Sequence, residues 1–309
     1  MTTIAITGIN SYFAKTVLPK LMADPEIESI IGIDVTPWTG EGSKVAFFQE
    51  DVRKREIYTL LKDADIVLHL AFIVEEIRDK KKTHAINVEG SKNVFQACAA
   101  NGVKKIVYTS SIAAYGAHPD NPIGITEEQP LIENPDSYYS TDKVVVEKFL
   151  DNFQKDNPKM IITRFRPPII VGPNLNNFAV DFYTRKKNFT IKGKDNEVQF
   201  LHENDLGEAL YLAIKKDFPG AFNIAADDYA GSRRLFEIAG VKTTDVPVGL
   251  MRILANVTFF LGMGKMSQGW VSLMEYPVVV DSSKFKAAAG WQPRYTTEEA
   301  FRDFLNSIK

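Results

Sequence analysis

Ile4-Ala5-Ile6-Thr7-Gly8-Ile9-Asn10-Ser11-Tyr12-Phe13-Ala14 is the stretch that decides the fold. A short apolar run of strand length enters a turn headed by Gly8. The turn then opens a segment, Phe13 to Met22, whose apolar residues recur at helical spacing. A strand that turns straight into a helix gathers free backbone N–H groups and the positive end of the helix dipole at one point. That combination suits an anion such as the pyrophosphate of a dinucleotide. Of the Gly-x-x-Gly-x-x-Gly spacing only Gly8 is kept, with Ser11 and Ala14 at the other two positions. Small residues at all three still permit close approach of backbone to phosphate, and Ser11 adds a hydroxyl. The bland alternative is a tight turn that binds nothing.

Outward from this turn the chain alternates strand-length apolar runs with helical patterns. The runs are Ser29 to Ile33, Val45 to Phe48, Ile66 to Leu70, Lys105 to Thr109 and Met160 to Arg166; the helical patterns are Arg53 to Leu61, His84 to Ala100 and a helix from Ser137. Without polar alternation these runs suit parallel strands covered on both faces. The expected fold is α/β, a Rossmann-type doubly wound parallel sheet with a smaller mixed C-terminal lobe. Residues 1–167 would form the dinucleotide-binding domain, with later segments returning to it, and 168–309 the substrate-binding region. Asp34 ends the second run, 26 residues after Gly8, where a carboxylate bonds adenine-ribose hydroxyls and repels a 2′-phosphate. No arginine adjoins it, so NAD is expected rather than NADP.

Tyr139-Ser140-Thr141-Asp142-Lys143 sets a phenol and an ammonium four residues apart on one helix face. Tyr138 points about 140° away at roughly 100° per residue. A free phenol titrates near pH 10 and is a poor base at neutrality, and a neighbouring cation favours its phenolate. Thr109-Ser110-Ser111 lies upstream at the end of the fifth run, where ligand-facing groups of such sheets collect.

Taken with Asp51-Val52, His69-Leu70-Ala71, Asn87-Val-x-Gly90, Tyr108-Thr-Ser-Ser-x-x-x-Tyr115-Gly116, Arg166-Pro167, Phe200-x-His202-x-x-Asp205, Ser283-Lys284 and Gly290-Trp291-x-Pro293, the chain resembles the extended short-chain dehydrogenase/reductase family, the NAD-dependent epimerase/dehydratase type. The resemblance implies Tyr139 as general acid/base, Lys143 as ribose-binding and pKa-lowering, and Ser111 as donor to the substrate oxygen. It implies cofactor contacts from Gly8, Asn10, Ser11, Tyr12, Phe13, Asp34, Asp51, Val52, Leu70, Ala71, Asn87, Thr109, Tyr139, Lys143 and Pro167. His202, Asp205 and Gly290-Trp291 are read as structural. Such proteins commonly pair through the helices beginning near Asn87 and Tyr139, so a homodimer is expected. The apolar arc Val144, Val145, Val146, Phe149, Leu150 and Phe153 would bury in it, or under the sheet.

Departures narrow the chemistry. Dehydratases of the family place Asp-Glu where this chain has Ile112-Ala113. Nucleotide-sugar members hold the diphosphate with an asparagine and an arginine where this chain has Ile169 and Val198. A diphosphate would there lack a cation and a polar donor. The expected function is hydride transfer between NAD and a hydroxyl or carbonyl carbon of a small, partly apolar substrate. A nucleotide-sugar epimerase with bound NAD and an NAD-sensing regulatory protein are the alternatives. Phe178, Phe182, Met251, Phe259, Met263, Met266, Trp270 and Met274 supply core and adaptable pocket walls in the lobe.

Composition sets the outer bounds. The chain has 309 residues, 45% hydrophobic and 25% charged, with net charge −2 and a single cysteine, Cys98. Interspersed charge argues against a nucleic-acid partner, and Lys80-Lys81-Lys82 reads as a solvated helix surface. One cysteine excludes an internal disulfide and a cysteine metal cluster, so no metal is expected and a reducing compartment fits. The N-terminus enters a strand at once rather than a signal core, hence a cytoplasmic expectation. Val248 to Met263, broken by Arg252 and Asn256, reads as an amphipathic helix and not a span, and no membrane partner is expected.

Overall fold

A computed structural model describes residues 1–308; the side chain of Phe178 and all of Lys309 lie outside the described residues. Seven parallel strands form the central sheet: β1 (Thr2–Thr7), β2 (Ile27–Asp34), β3 (Val45–Gln49), β4 (Ile66–His69), β5 (Lys105–Thr109), β6 (Ile161–Arg166) and β7 (Gly220–Asn223). Their order is β7-β6-β5-β4-β1-β2-β3, so the chain reverses direction across the sheet between β1 and β4. Crevices at such a reversal lie beyond the carboxyl ends of the strands. The doubly wound sheet expected from the apolar runs is the one observed.

Side chains alternate across each strand, which explains the continuous apolar runs. Ile4 and Ile6 face helices α1 (Tyr12–Ala23) and α4 (Glu203–Lys215), through Val17, Leu21, Leu206 and Leu210. Ala5 and Ile106 face α2 (Gly90–Asn101) and α3 (Tyr138–Asp156), through Val94, Phe95, Val146 and Leu150. The outer strand β3 is covered on one side only, and its pattern changes accordingly. Of the apolar arc on α3, Val144, Val146, Leu150 and Phe153 are buried within the chain, while Val145 and Phe149 are only partly covered.

The lobe is knitted from short pairings. Ile169–Val171 lies parallel to Phe200–His202, Lys187–Ile191 parallel to Lys242–Val246, and Val279–Val280 parallel to Ile123–Ile125. Its own core gathers Tyr183, Phe200, Phe236, Phe301 and Phe304.

Three helical readings shift. The span Arg53 to Leu61 shortens to Glu56–Leu60, because Asp51 turns back to accept from the Arg53 N–H at 2.9 Å. His84 to Ala100 is not one uniform helix. A short helix, Lys80–His84, passes into a π-helical segment, Ala85–Glu89, before α2. Such wide turns recur where a side chain must be aimed, and here Asn87 is the residue aimed. Helix α5 (Val248–Phe260) stops before Gly262, whose φ of +75° lets the Met263 N–H reach back to the Thr258 carbonyl at 2.8 Å.

Candidate functional site

The turn after β1 packs where the sheet reverses. Gly8 has φ +73°, and a Cβ added there would stand 2.7 Å from the Ala71 nitrogen. Only glycine lets the turn sit against the loop that follows β4. Ser11 caps α1, its hydroxyl accepting from the Ala14 N–H at 3.2 Å. The N–H groups of Tyr12 and Phe13, in the first helical turn, have no acceptor inside the helix. Asp34, at the end of β2, accepts from the Asn10 N–H at 3.1 Å and from the Thr36 N–H and hydroxyl at 3.0 and 2.9 Å. The Asn10 amide in turn donates to the Thr36 carbonyl at 2.9 Å. Asn10 therefore holds the Asp34 corner in place. A bare glycine turn, open helix-start N–H groups and a fixed, half-buried carboxylate fit a dinucleotide.

Asp51 is gripped by Arg53, whose hydrogen bonds hold its carboxyl below the usual range. Val52, buried, offers its carbonyl to the Asn93 amide at 2.8 Å. Leu70 is buried and Ala71 half-exposed beside Gly8. His69 is sealed between the Thr7 hydroxyl at 2.6 Å and the Ser91 hydroxyl at 2.9 Å, and burial pushes it down to about 3. It is thus a neutral structural link between β1, β4 and the start of α2. Asn87 is fully buried. Its amide accepts from the Ile73 N–H at 2.7 Å and donates to the Ile73 carbonyl at 3.2 Å and to Asp142 at 3.1 Å. The structure places Asn87 behind the 70–74 loop, tying that loop to α3.

Ser111, Tyr139 and Lys143 converge from two elements. Ser111 follows β5 and starts a 3-10 turn, Ile112–Ala114, with its hydroxyl accepting from the Ala113 N–H at 3.1 Å. Ser137 caps α3, which presents Tyr139 and Lys143 one turn apart. The Lys143 ammonium donates to the Thr109 carbonyl at 2.8 Å and to the Tyr108 hydroxyl at 3.3 Å. It also lies 3.5 Å from the centroid of the Phe72 ring and 5.7 Å from that of Tyr139. Burial drives Lys143 down to about 7, against the pull of Glu147 and Asp142. Burial raises the Tyr139 phenol, while hydrogen bonding with Ser111 lowers it. Tyr138 turns the other way, donating to the Val74 carbonyl. Pro167, buried, accepts from the Ile112 N–H at 3.0 Å and so fixes the turn carrying Ser111.

A cavity of about 270 Å³ opens against this group. Ser111, Ile112 and Tyr139 form one wall, Ile169 and Val198 another, and Phe182, Met266, Trp270 and Met274 close it. Among the described residues that line it none is a lysine or arginine, and Glu197 is the single carboxylate. Its amides are largely committed: Gln199 to the Ala226 and Val280 backbone, Asn196 to the Met274 carbonyl at 2.8 Å.

The fold adds Phe72, Glu203 and Asn174, which the sequence does not single out, and gives Tyr12 and Trp270 specific partners. Phe72 packs edge-on to Tyr139 and Trp270 stacks on it at 5.9 Å. Tyr108, inside a quoted motif, is a direct partner of Lys143. The Tyr12 hydroxyl donates to Glu203, whose carboxylate also accepts from the Asn174 N–H at 3.0 Å, joining the first turn to the lobe. His202 and Asp205 are structural as expected: His202 bonds Asp303 at 3.0 Å and Asp205 accepts from Arg294. The Trp291 indole donates to the Asp205 carbonyl at 3.2 Å.

An uncharacterised protein of Mycobacterium tuberculosis (strain ATCC 25618 / H37Rv) is 24% identical over 314 residues, covering 98% of this chain and 83% of its own. A shorter stretch of 134 residues, 43% of this chain and 36% of the relative, is 30% identical to the decarboxylating sterol-4-alpha-carboxylate 3-dehydrogenase of Homo sapiens. Among solved structures, the UDP-glucose 4-epimerase of Thermotoga maritima with UDP-glucose superposes with a TM-score of 0.78 at 20% identity, covering 99% of this chain and 98% of that one. The sequence profile of one family matches residues 4–225, a span holding the glycine turn, Asp34, Ser111, Tyr139 and Lys143 alike, and the chain belongs to the NAD dependent epimerase/dehydratase family.

Proposed function

We propose that this protein is an NAD-dependent oxidoreductase acting on a hydroxyl or carbonyl carbon of a small, partly apolar molecule. NAD would be held by the Gly8 turn, Asp34 and the Asp51-Val52 corner and would supply the hydride acceptor or donor. In the oxidative direction Tyr139 takes the hydroxyl proton of the substrate as the carbinol hydrogen leaves as hydride, and a carbonyl results. Ser111 donates to the same oxygen and holds it at reacting distance. The Lys143 ammonium favours the phenolate that Tyr139 must become, and in reduction the proton returns along the same path.

The observation that carries the substrate class is the cavity wall. Ile169 and Val198 line it, a lysine or arginine is missing among its described lining residues, and Glu197 would repel a diphosphate. A nucleotide-sugar epimerase is the second reading, favoured by the likeness to the Thermotoga maritima enzyme. A panel of alcohols and ketones with NAD or NADH, followed by absorbance of the reduced nicotinamide, tests the first reading. Turnover of neutral apolar members is its expected result, and no turnover of any member, with conversion of UDP-glucose, would replace it by the second.

We also carry forward the homodimer, paired through α2 and α3, with the partly covered Val145 and Phe149 as the remaining apolar contacts. A reducing, cytoplasmic setting goes with the buried Cys98, and the dinucleotide-binding domain comprises residues 1–167 with β7 returning to it.

A further inference from the structure

Helix α5 is amphipathic the wrong way round for a soluble surface. None of its residues is buried. Its polar side chains point into the protein: Arg252 donates to Glu275 at 2.7 Å, and Asn256 exchanges two hydrogen bonds with Gln268, at 2.8 and 2.9 Å. Its apolar stripe points out. Ile253 is 61% exposed and Phe260 81%; Leu250 one turn earlier, and Leu254 and Val257 between them, share the stripe at helical spacing, with Leu261 and Met263, 77% exposed, in the turn that follows. Isolated exposed apolar residues need no explanation, but a contiguous set of this kind marks a contact surface.

The surroundings say what covers it. Between Asp245 and Glu275 the chain has no carboxylate, and its two cations there are paired, Arg252 inward with Glu275 and Lys265 with Asp181 at 3.2 Å. At the end of α5 the Arg78 guanidinium lies 2.8 Å from where a Cβ on Gly262 would stand, so the 75–84 segment borders the stripe. That segment exposes Arg78, Lys80, Lys81, Lys82 and His84. Of its acids, Glu76 has a buried side chain bonded to Lys80 and to the Ser267 N–H, whereas Glu75 and Asp79, which caps the Lys80–His84 helix, are exposed. An apolar stripe bordered by Arg78, with Lys81 and Lys82 exposed on the same bordering segment, complements an anionic bilayer. The helix is about 20 Å long, too short for a hydrocarbon core of about 30 Å. No helix among the described residues is long and apolar enough to cross a membrane, so the contact is one of lying on its surface. The sequence expectation of no membrane partner weighed spans and basic runs; the outward direction of the stripe is a property of the fold.

We propose that Val248–Met263 docks in the interface of an anionic lipid bilayer, with Arg78, Lys81 and Lys82 on the headgroups. Met266, Trp270 and Met274, directly following the docked segment, line the cavity at Tyr139. An apolar substrate would then enter from the lipid, a consequence that rests on the proposed function, whereas the docking itself does not.

Co-sedimentation of the full chain with vesicles tests it, without substrate or cofactor. Binding is expected to vesicles of phosphatidylcholine mixed with phosphatidylglycerol, far less to phosphatidylcholine alone, and to weaken with salt. The double variant Ile253→Glu/Phe260→Glu should lose at least about tenfold in affinity, since both side chains exchange lipid for water, and Lys81→Glu/Lys82→Glu should lose the preference for the anionic lipid. Both pairs are exposed, and unchanged circular dichroism and melting temperature establish that the variants fold; Phe260→Gln serves if the double variant does not. Absence of binding to the mixed vesicles overturns the proposal. So does undiminished binding of a folded Ile253→Glu/Phe260→Glu variant, or a solution dimer that this variant dissociates, which would assign the stripe to a second copy of the chain.

Discussion

Lys143 donates to the Thr109 carbonyl at 2.8 Å while lying 3.5 Å from the centroid of the Phe72 ring, so its ammonium is held by one carbonyl dipole and an aromatic face in a buried setting. That setting lowers it to about 7. In the unfolded chain the group titrates near 10.4. Between those values the unfolded state binds more protons, so the stability of the protein rises with pH across this window and the burial cost is fully felt below pH 7. Lys143→Met keeps the length and removes the charge. The melting-temperature difference, variant minus wild type, should be most positive at pH 6 and shrink towards pH 10, reflecting an effect on the order of a few kcal/mol. A pH-independent difference would show that Lys143 is not charged at the cost of burial.

Tyr139→Phe should cut turnover by roughly a hundredfold or more, the usual worth of a positioned acid or base, while NAD affinity stays near wild type. Tyr138→Phe should be mild in turnover, because its hydroxyl is spent on the Val74 carbonyl. Stopped-flow rates and calorimetry for the two variants check this, and equal losses would dissolve the distinction between the two phenols.

What was legible in the sequence was local. The glycine turn, the carboxylate at the end of β2 and the Tyr139–Lys143 pair each depend on residues within one strand–turn–helix unit or one helical turn, where spacing dictates geometry. What was not legible depended on chain segments brought together only by the fold. Phe72 beneath Lys143 leaves no periodic trace, and Trp270 and Asn87, though singled out by the sequence, give no sign there of the partners they meet, Tyr139 for one and Ile73 and Asp142 for the other. The π-helical segment at Ala85–Glu89 is invisible for the same reason, since its helical residues read as ordinary helix until the Asn87 partners are known. For α5 the periodicity predicts an amphipathic helix but carries no information on which side its apolar stripe faces.

Asp34→Ala removes the carboxylate placed for the adenine ribose. NAD affinity should fall roughly tenfold to a hundredfold, as for a lost hydrogen bond to a charged group, and NADP should gain relative to NAD because the repulsion of a 2′-phosphate goes with it. Part of the loss is structural, since the Asn10 N–H and Thr36 lose their acceptor. Asp34→Asn separates the two effects by keeping an acceptor without the charge. Calorimetry with both dinucleotides decides it, and tighter NADP than NAD binding by the wild type would overturn the cofactor preference.

The homodimer has a narrower basis than the sequence suggested, because four of the six apolar residues on α3 are buried against the sheet of their own chain. Light scattering at micromolar concentration should nonetheless give a dimer. Val145→Glu combined with Phe149→Glu should convert it to monomer. A monomeric wild type would end this expectation.

The last prediction separates the two enzyme readings. A UDP-sugar carries a diphosphate that must exchange water for protein groups, and an unpaired buried charge is costly enough to prevent binding. Here the cavity beside Tyr139 offers Ile169 and Val198, together with the Glu197 carboxylate and no lining lysine or arginine among the described residues. Isothermal titration with UDP, UDP-glucose and UDP-galactose in the presence of NAD should therefore give no micromolar binding. Val198→Arg supplies the missing cation at the cavity wall. If diphosphate exclusion is the reason for weak binding, this variant should gain UDP affinity, by roughly tenfold for one charge-assisted hydrogen bond. Micromolar binding of any of the three by the wild type would instead place a cation at the site that the lining residues do not provide, and would move the nucleotide-sugar epimerase to first place.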